Sequence, residues 1–373
     1  MIKHVLGISG GKDSAALAIY MNANFPDIDV EYYTCDTGKE LTETYQLIER
    51  LNSVLGKRIK EYQSIDLDQT SEQTAFDHFL AVYGGFLPSS SARWCTKKMK
   101  LDPFEQEIGD APTISYVGIR GDEDREGYIS NKENIQSIFP FRRNIWSEDV
   151  ISKVMSNSKI EDLKQYLSNV VEANDPRKGL FSDILSRPIS LKYNIKQKVG
   201  DLLNVDVVIF NQIVFRFLKT TNYPVGMLDD FPLIRKDSNL GIDDIFQILE
   251  DSGVGIPAYY KPLNYEVEID GELKQGIYSR SRSGCFFCFF QQKIEWVWLL
   301  ETHPELYEKA LEYEKAGYSW SEERLEDLMK PQRVIQIKKD HYLRTQRKSQ
   351  NQLLDWKDEL MEAEAEGCSS CFI

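Results

Sequence analysis

The stretch Lys3-His4-Val5-Leu6-Gly7-Ile8-Ser9-Gly10-Gly11-Lys12-Asp13-Ser14, followed by Ala15-Ala16-Leu17-Ala18-Ile19-Tyr20-Met21, decides the fold. Residues 3–8 read as a short buried strand. Residues 14–21 read as a helix with small residues where it would pack closely. The paired glycines between them let the backbone turn tightly and approach a ligand without Cβ clashes. A helix that starts there offers free N–H groups and a positive dipole end, so an anion sits naturally at Ser9–Ser14. Lys12 adds a point charge suited to phosphate, and the hydroxyls of Ser9 and Ser14 can donate to phosphate oxygens. The glycine spacing is not that of the P-loop G-x-x-x-x-G-K-[ST]. A plain strand-to-helix turn is the bland alternative; strand, loop chemistry and helix together favour a phosphate cradle for ATP or a close relative.

Working outward, strands and helices alternate. Residues 29–36 and 58–63 read as further strands, and Ile114-Ser115-Tyr116-Val117-Gly118-Ile119 as another. Residues 41–55 carry a helical period of Leu41, Tyr45, Ile48, Leu51 and Leu55, and 70–83 is a helix candidate. Such alternation implies a doubly wound, mainly parallel α/β sheet with right-handed crossovers and the nucleotide at the C-terminal strand ends. Residues 151–230 break the rhythm and read as a helical insertion. They are flanked by Phe139-Pro140-Phe141-Arg142-Arg143 and Phe231-Pro232-Leu233-Ile234-Arg235, which also admit a weak duplication. The expected organisation is an α/β domain over 1–150, the insertion over 151–230, a return to the first domain with a cysteine pair over 231–300, and a helical C-terminal region over 301–373.

The chain has 373 residues, 42% hydrophobic and 28% charged, with a formal net charge of −14. That acidity argues against non-specific coating of nucleic acid. Residues 333–348 run the other way, with Arg333, Lys338, Lys339, Arg344, Arg347 and Lys348 against Asp340. They would meet nucleic acid or an acidic partner, or form a solvated helix face. No apolar run approaches the roughly 20 residues of a membrane span, and the N-terminus lacks a signal-peptide pattern, so a cytoplasmic location and no membrane partner are expected.

Six cysteines are present: Cys35, Cys95, Cys285, Cys288, Cys368 and Cys371. In a reducing compartment they are more often ligands or redox groups than disulfides. Cys285-Phe286-Phe287-Cys288 can grip one metal or one cluster edge, and soft thiolates favour zinc or iron–sulfur centres. Free cysteines buried among aromatics are the other reading. The tail pair, Cys368 and Cys371, can be a redox dithiol or a metal clip. His4, His78, His303 and His341 stand in no metal or triad spacing.

The loop resembles that of the PP-loop ATP pyrophosphatases, and within them the phosphoadenosine-phosphosulfate (PAPS) reductase-like branch. Asp36-Thr37-Gly38-Lys39-Glu40 is similar to that branch's D-T-G-x-E motif. Arg93-Trp94-Cys95-Thr96 with Lys97, Lys98 and Lys100 is similar to its R-x-C-T…K segment, and Gly118-Ile119-Arg120 with Glu123 to its G-x-R-x-x-E strand end. Arg125 lies close to a following arginine, and Trp146-Ser147-Glu148-Asp149-Val150 resembles a W…D-V phrase with shorter spacing. The resemblance covers about 1–150 and 231–300.

It implies that Ser9, Gly10, Gly11, Lys12, Asp13 and Ser14 bind nucleotide phosphates, and that Asp36, Thr37 and Gly38 lie near the adenosine or a magnesium ion. Gly118, Arg120 and Arg125 would face the nucleotide, with Lys12, Asp13 and Arg120 as the catalytic set. The competing reading pairs Arg120 and Arg125 with Asp122, Glu123 or Asp124. The resemblance further implies Cys95, Cys285 and Cys288 as ligands of a [4Fe–4S] cluster, zinc being the alternative. The fourth ligand would be Cys35, a tail cysteine, or none. The leading expectation is ATP-dependent adenylyl transfer linked to sulfur transfer, with a sulfur donor or partner proteins, as in the sulfurtransferase subunits of DNA phosphorothioation and anti-phage defence. The alternatives are a sulfonucleotide reductase, whose C-terminal E-C-G-L-H motif is absent here, and a nucleotide-binding subunit of a multiprotein defence complex.

Overall fold

The computed structural model describes residues 2–63, 73–124, 130, 132–314, 317–349, 356–357 and 360–361. Five strands form one sheet in the order β3-β2-β1-β4-β5. They are β1 (Lys3–Gly7), β2 (Val30–Thr34), β3 (Lys60–Glu61), β4 (Thr113–Tyr116) and β5 (Ile135–Ile138). β1 pairs in parallel with β4, Val5 opposite Ser115, and β4 with β5, Tyr116 opposite Ile138. β2 pairs in parallel with β3, Thr34 opposite Glu61. This is the doubly wound α/β arrangement expected of alternating strands and helices. β4 and β5 are buried along their whole length, as strands covered on both faces must be.

The helices of the first half are α1 (Lys12–Asn24), α2 (Thr42–Leu55), α3 (Ala75–Val82), α4 (Trp94–Thr96) and α5 (Asp102–Ile108). Then come α6 (Glu148–Val154), α7 (Ile160–Val170), α8 (Pro176–Ser186), α9 (Ile195–Val205), α10 (Val207–Leu218) and α11 (Ile242–Asp251). After an antiparallel hairpin, β6 (Leu263–Ile269) and β7 (Glu272–Tyr278), the chain closes with α12 (Lys293–Thr302), α13 (Pro304–Tyr313), α14 (Leu325–Leu328) and α15 (Pro331–Ser349). No described helix is long and apolar enough to cross a membrane.

The chain divides into two compact units. The first holds residues 1–7, 16–32 and 108–245. Its helices from α6 onward are anchored by local chemistry. Asp175 caps α8 by accepting from Arg177 N at 2.8 Å, and Asn194 and Gln197 form a reciprocal capping box on α9. Asp206 caps α10, accepting from Ile209 N at 2.8 Å. α10 buries residues on every side, including Phe210, Ile213, Val214 and Phe217, and so acts as the centre of this helical group. The second unit holds residues 8–15, 33–107 and 246–373. In it α2 buries Leu47, Leu51 and Leu55, one residue per turn on a single stripe.

Three elements differ from the sequence reading. β5 was not expected: Gln136 and Ser137 interrupt its apolar pattern, yet both are buried, and Gln136 Oε1 accepts from Val225 N at 2.9 Å. The strand expected over 58–63 contracts to Lys60–Glu61, whose side chains are exposed. The β6–β7 hairpin was also missed, although Asp270-Gly271 between alternating residues is a strong hairpin signal.

Candidate nucleotide and thiol site

The glycine loop runs from β1 into α1 with each residue held by its neighbours. Gly10 adopts φ +76°, and a Cβ there would lie 2.2 Å from Thr44 Cγ2. A side chain is therefore excluded twice, by backbone conformation and by space. The Gly10 carbonyl accepts from Tyr259 Oη at 2.7 Å. Ser9 and Ser14 face one another at 3.2 Å between hydroxyls, and Ser14 Oγ also donates to the Gly11 carbonyl at 3.2 Å. Lys12 is fully buried, its Nζ 3.1 Å from Asp13 Oδ2 and 5.1 Å from the centre of the Tyr260 ring. The loop thus presents α1's N-terminus with a buried cation beside it, the setting in which a phosphate is stabilised.

At the end of β2, Asp36-Thr37-Gly38-Lys39-Glu40 folds into a self-capped turn. Asp36 Oδ1 accepts from Gly38 N at 2.7 Å and from Tyr45 Oη at 2.9 Å. Glu40 accepts from Thr37 Oγ1 at 2.7 Å and from Lys39 N at 3.0 Å. Burial, reinforced by Asp36, pushes the Glu40 carboxyl up from the usual range. A cavity of about 170 Å³ opens here, lined by Ser9, Cys35, Asp36, Glu40, Tyr45 and Lys100. Ser9 of the glycine loop and Asp36 and Glu40 of the second-strand turn therefore border one cavity.

The thiols form a second cavity of about 50 Å³. Cys95, Cys285 and Cys288 line it together with Phe76, Phe287, Phe289, Phe290 and Trp320. Cys95 lies on α4, just before a π-helical turn over Lys97–Leu101. The loop of Cys285 and Cys288 is fastened by the buried Arg280, which donates to the carbonyls of Arg282 at 2.7 Å, Phe286 at 3.4 Å and Cys285. Glu40 and Cys285 form a backbone bridge, Phe286 N donates to the Lys39 carbonyl at 2.9 Å, and Thr37 Oγ1 lies 3.1 Å from Cys285 Sγ. Burial pushes the Cys95 thiol up to about 11 and that of Cys285 higher still. Cys35 lies apart from these three. It lines the cavity beside the second-strand turn, its thiol 3.8 Å from the Lys100 carbonyl, and burial raises it to about 12. Three thiols on one aromatic-walled cavity suit a soft metal in kind. Among the described residues, however, no three His, Cys, Asp or Glu side chains are close enough together to hold one ion.

Gly118 and Arg120 belong to the first unit, directly after β4, and both are buried. Arg120 pairs with Asp122 at 2.9 Å and Glu123 at 2.8 Å. These are the partners of the competing reading, but the guanidinium is only 1% exposed, not on a solvated loop. Arg125, Cys368 and Cys371 lie outside the described residues.

Residues 3–146 match the phosphoadenosine phosphosulfate reductase domain. No curated protein matches the chain. The match supports the PP-loop ATP pyrophosphatase and PAPS reductase family for this part of the chain, and with it a nucleotide-using type of enzyme. The PAPS reductase-like region includes the glycine loop, Asp36–Glu40, Cys95 and Arg120, and ends before Tyr259, Tyr260, Arg280, Cys285 and Cys288. Those five reach the glycine loop and the thiol cavity of the second unit from a distant part of the sequence.

Four contributors escaped the choice of site residues from sequence. Tyr259 and Tyr260 hold the loop, and no spacing rule links them to it. Arg280 stands beside Arg282 in Ser279-Arg280-Ser281-Arg282-Ser283, and nothing there marks it as the residue that fastens the cysteine loop. Lys100 lines both cavities, and its charge pulls the Cys35, Cys95 and Cys285 thiols and the Glu40 carboxyl down against the effect of burial. Its π-helical setting is a structural marker of functional sites that sequence does not display.

Proposed function

We propose that the chain is an ATP-dependent adenylyl-transfer enzyme coupled to sulfur chemistry at the thiol cavity. The close packing of the glycine loop on the cysteine loop carries this reading: a Cβ on Gly11 would lie 2.9 Å from Ser283 Oγ, two residues before Cys285. A triphosphate in the loop would stand beside the thiols. An acceptor oxygen attacks the α-phosphorus and pyrophosphate departs. The N–H groups at the start of α1 and the Lys12 ammonium stabilise the growing charge, with magnesium entering on the nucleotide near Asp36. The adenylylated position then accepts sulfur from a donor, and AMP leaves. Cys95, Cys285 and Cys288, which as they stand are too far apart for one ion, would have to close on a soft metal centre, iron–sulfur or zinc, and that centre would supply a site for sulfide. A nucleic-acid acceptor and a defence role belong to the same proposal. Incubation with ATP and magnesium should release pyrophosphate; ADP and phosphate as the products would refute adenylyl transfer.

A second reading has its own support in the matched domain, whose name denotes reduction of a sulfonucleotide. Here a dithiol would reduce the sulfonyl group, giving sulfite, the free nucleotide and a disulfide. Sulfite release from PAPS with reduced thioredoxin, and no pyrophosphate from ATP, would replace the first reading by the second.

A further inference from the structure

A third cavity lies in the second unit, away from the chemistry assigned above. It has a volume of about 320 Å³ and is lined by residues at the start of α12 and along one face of α15. Gln292 caps α12, so the positive end of that helix opens here. Three cations, Lys293, Arg333 and Arg344, line it against one acid, Asp340. Glu323 engages two of them: Arg333 in a bidentate pair at 2.6 and 2.8 Å, and Lys293 at 3.1 Å. Arg344 is different. It is exposed, and its Nη2 donates to the neutral Gln292 Oε1 at 3.0 Å.

We propose that this cavity binds the phosphodiester backbone of a nucleic-acid strand, with Arg344 as its principal phosphate contact. The lining face of α15 includes Arg333, Ile337, His341 and Arg344. At 1.5 Å per residue, Arg333 and Arg344 are spread over about 16 Å of helix. Arg333 is already held by Glu323, so it borders this line while Arg344 supplies the charge that meets a phosphate; an exposed cation at the end of an extended face suits one phosphate of a chain, whereas a single ion is held by cations that converge. Ile337 and the ring of His341, both buried, give the same face an aliphatic and aromatic floor against which a sugar or base can rest. Guanidinium groups are the side chains best matched to phosphate oxygens. In an acidic protein this makes recognition local and keeps the rest of the surface repulsive to polyanions.

The test uses the full chain and a fluorescently labelled 12-nucleotide single-stranded DNA, read by anisotropy. Arg344→Glu should weaken binding tenfold or more, and Arg344→Gln by less. Lys192→Glu makes the same change in net charge at an exposed position of the first unit and should alter binding less than twofold. Equal losses in Arg344→Glu and Lys192→Glu, or no binding by the wild type, would overturn the proposal. So would inorganic phosphate binding as tightly as the oligonucleotide, since that indicates a single-ion site. Thermal melting of each variant checks the fold. ATP binding measured alongside separates this site from the nucleotide site, because it should be unchanged in all three variants.

Discussion

Gly11 of the glycine loop and Ser283 of the cysteine loop are in such close contact that a single added carbon on the glycine would lie 2.9 Å from the serine hydroxyl. Gly11→Ala should therefore cost about 1–3 kcal/mol of stability, the usual range for overpacking a filled site. Shortening the opposing residue makes room, so Gly11→Ala with Ser283→Gly should regain part of that loss. Urea denaturation of the two single variants and the double variant forms the cycle. Strictly additive losses would show that the two loops do not press on each other in solution.

Lys12 and Asp13 form a fully buried pair at 3.1 Å. Lys12→Met removes the cation and should cost roughly 3 kcal/mol, because breaking a buried pair leaves a desolvated charge behind. Adding Asp13→Asn should restore much of that stability without restoring function. In the wild type, ATP with magnesium raises the melting temperature by mass action; in both variants this shift should disappear. A double variant that melts like the wild type and still responds to ATP would remove Lys12 from the phosphate site.

The four described cysteines fall into two groups, and the groups should behave differently. Cys95, Cys285 and Cys288 share the aromatic cavity, while Cys35 lines the one beside the glycine loop. If a soft metal is bound by the first three, Cys285→Ser should reduce iron or zinc content after anaerobic purification to less than half. Cys35→Ser should leave it unchanged and instead weaken ATP binding. Loss of metal in Cys35→Ser would place that thiol among the ligands. Iron and zinc measured together identify the centre, since stoichiometric zinc without iron excludes a cluster.

What the sequence disclosed follows from the range over which each signal acts. The glycine loop is a local signal: strand, turn and helix occupy about 20 consecutive residues, and each constrains the next. The D-T-G-K-E turn is likewise self-contained, since Asp36 and Glu40 fold back on Gly38, Lys39 and Thr37. Cys95, Cys285 and Cys288 could be grouped only through a family resemblance, because nothing in their spacing brings Cys95 to the pair. Tyr259 acts through a hydrogen bond to the Gly10 carbonyl, and Arg280 through three, to the carbonyls of Arg282, Phe286 and Cys285. Backbone carbonyls are present at every residue, so these partners leave no trace in the sequence. β5 was hidden for the opposite reason: the side-chain oxygen of its buried Gln136 accepts from Val225 N, and a polar residue that finds a distant partner looks like a loop residue when read alone.

Arg333, in the basic run 333–348, has a structural role that shows in the titration of its partner Glu323. Arg333 holds Glu323 in a bidentate pair and Lys293 adds a second contact, and these hydrogen bonds lower the Glu323 carboxyl from its ordinary 4.5 to about 2. A carboxylate whose folded value is depressed contributes stability that is complete above its unfolded value. That contribution is lost as the pH falls from about 4.5 towards 2, because the folded state then takes up a proton the unfolded chain already carries. Glu323→Gln should therefore be less stable than the wild type at pH 7, and the difference should be unchanged down to about pH 5. Below that it should narrow steadily for as long as the fold persists. Urea titrations at pH 7, 5, 4 and 3 measure it, and a gap that stays constant across this range would mean that the Arg333 pair does not depress Glu323.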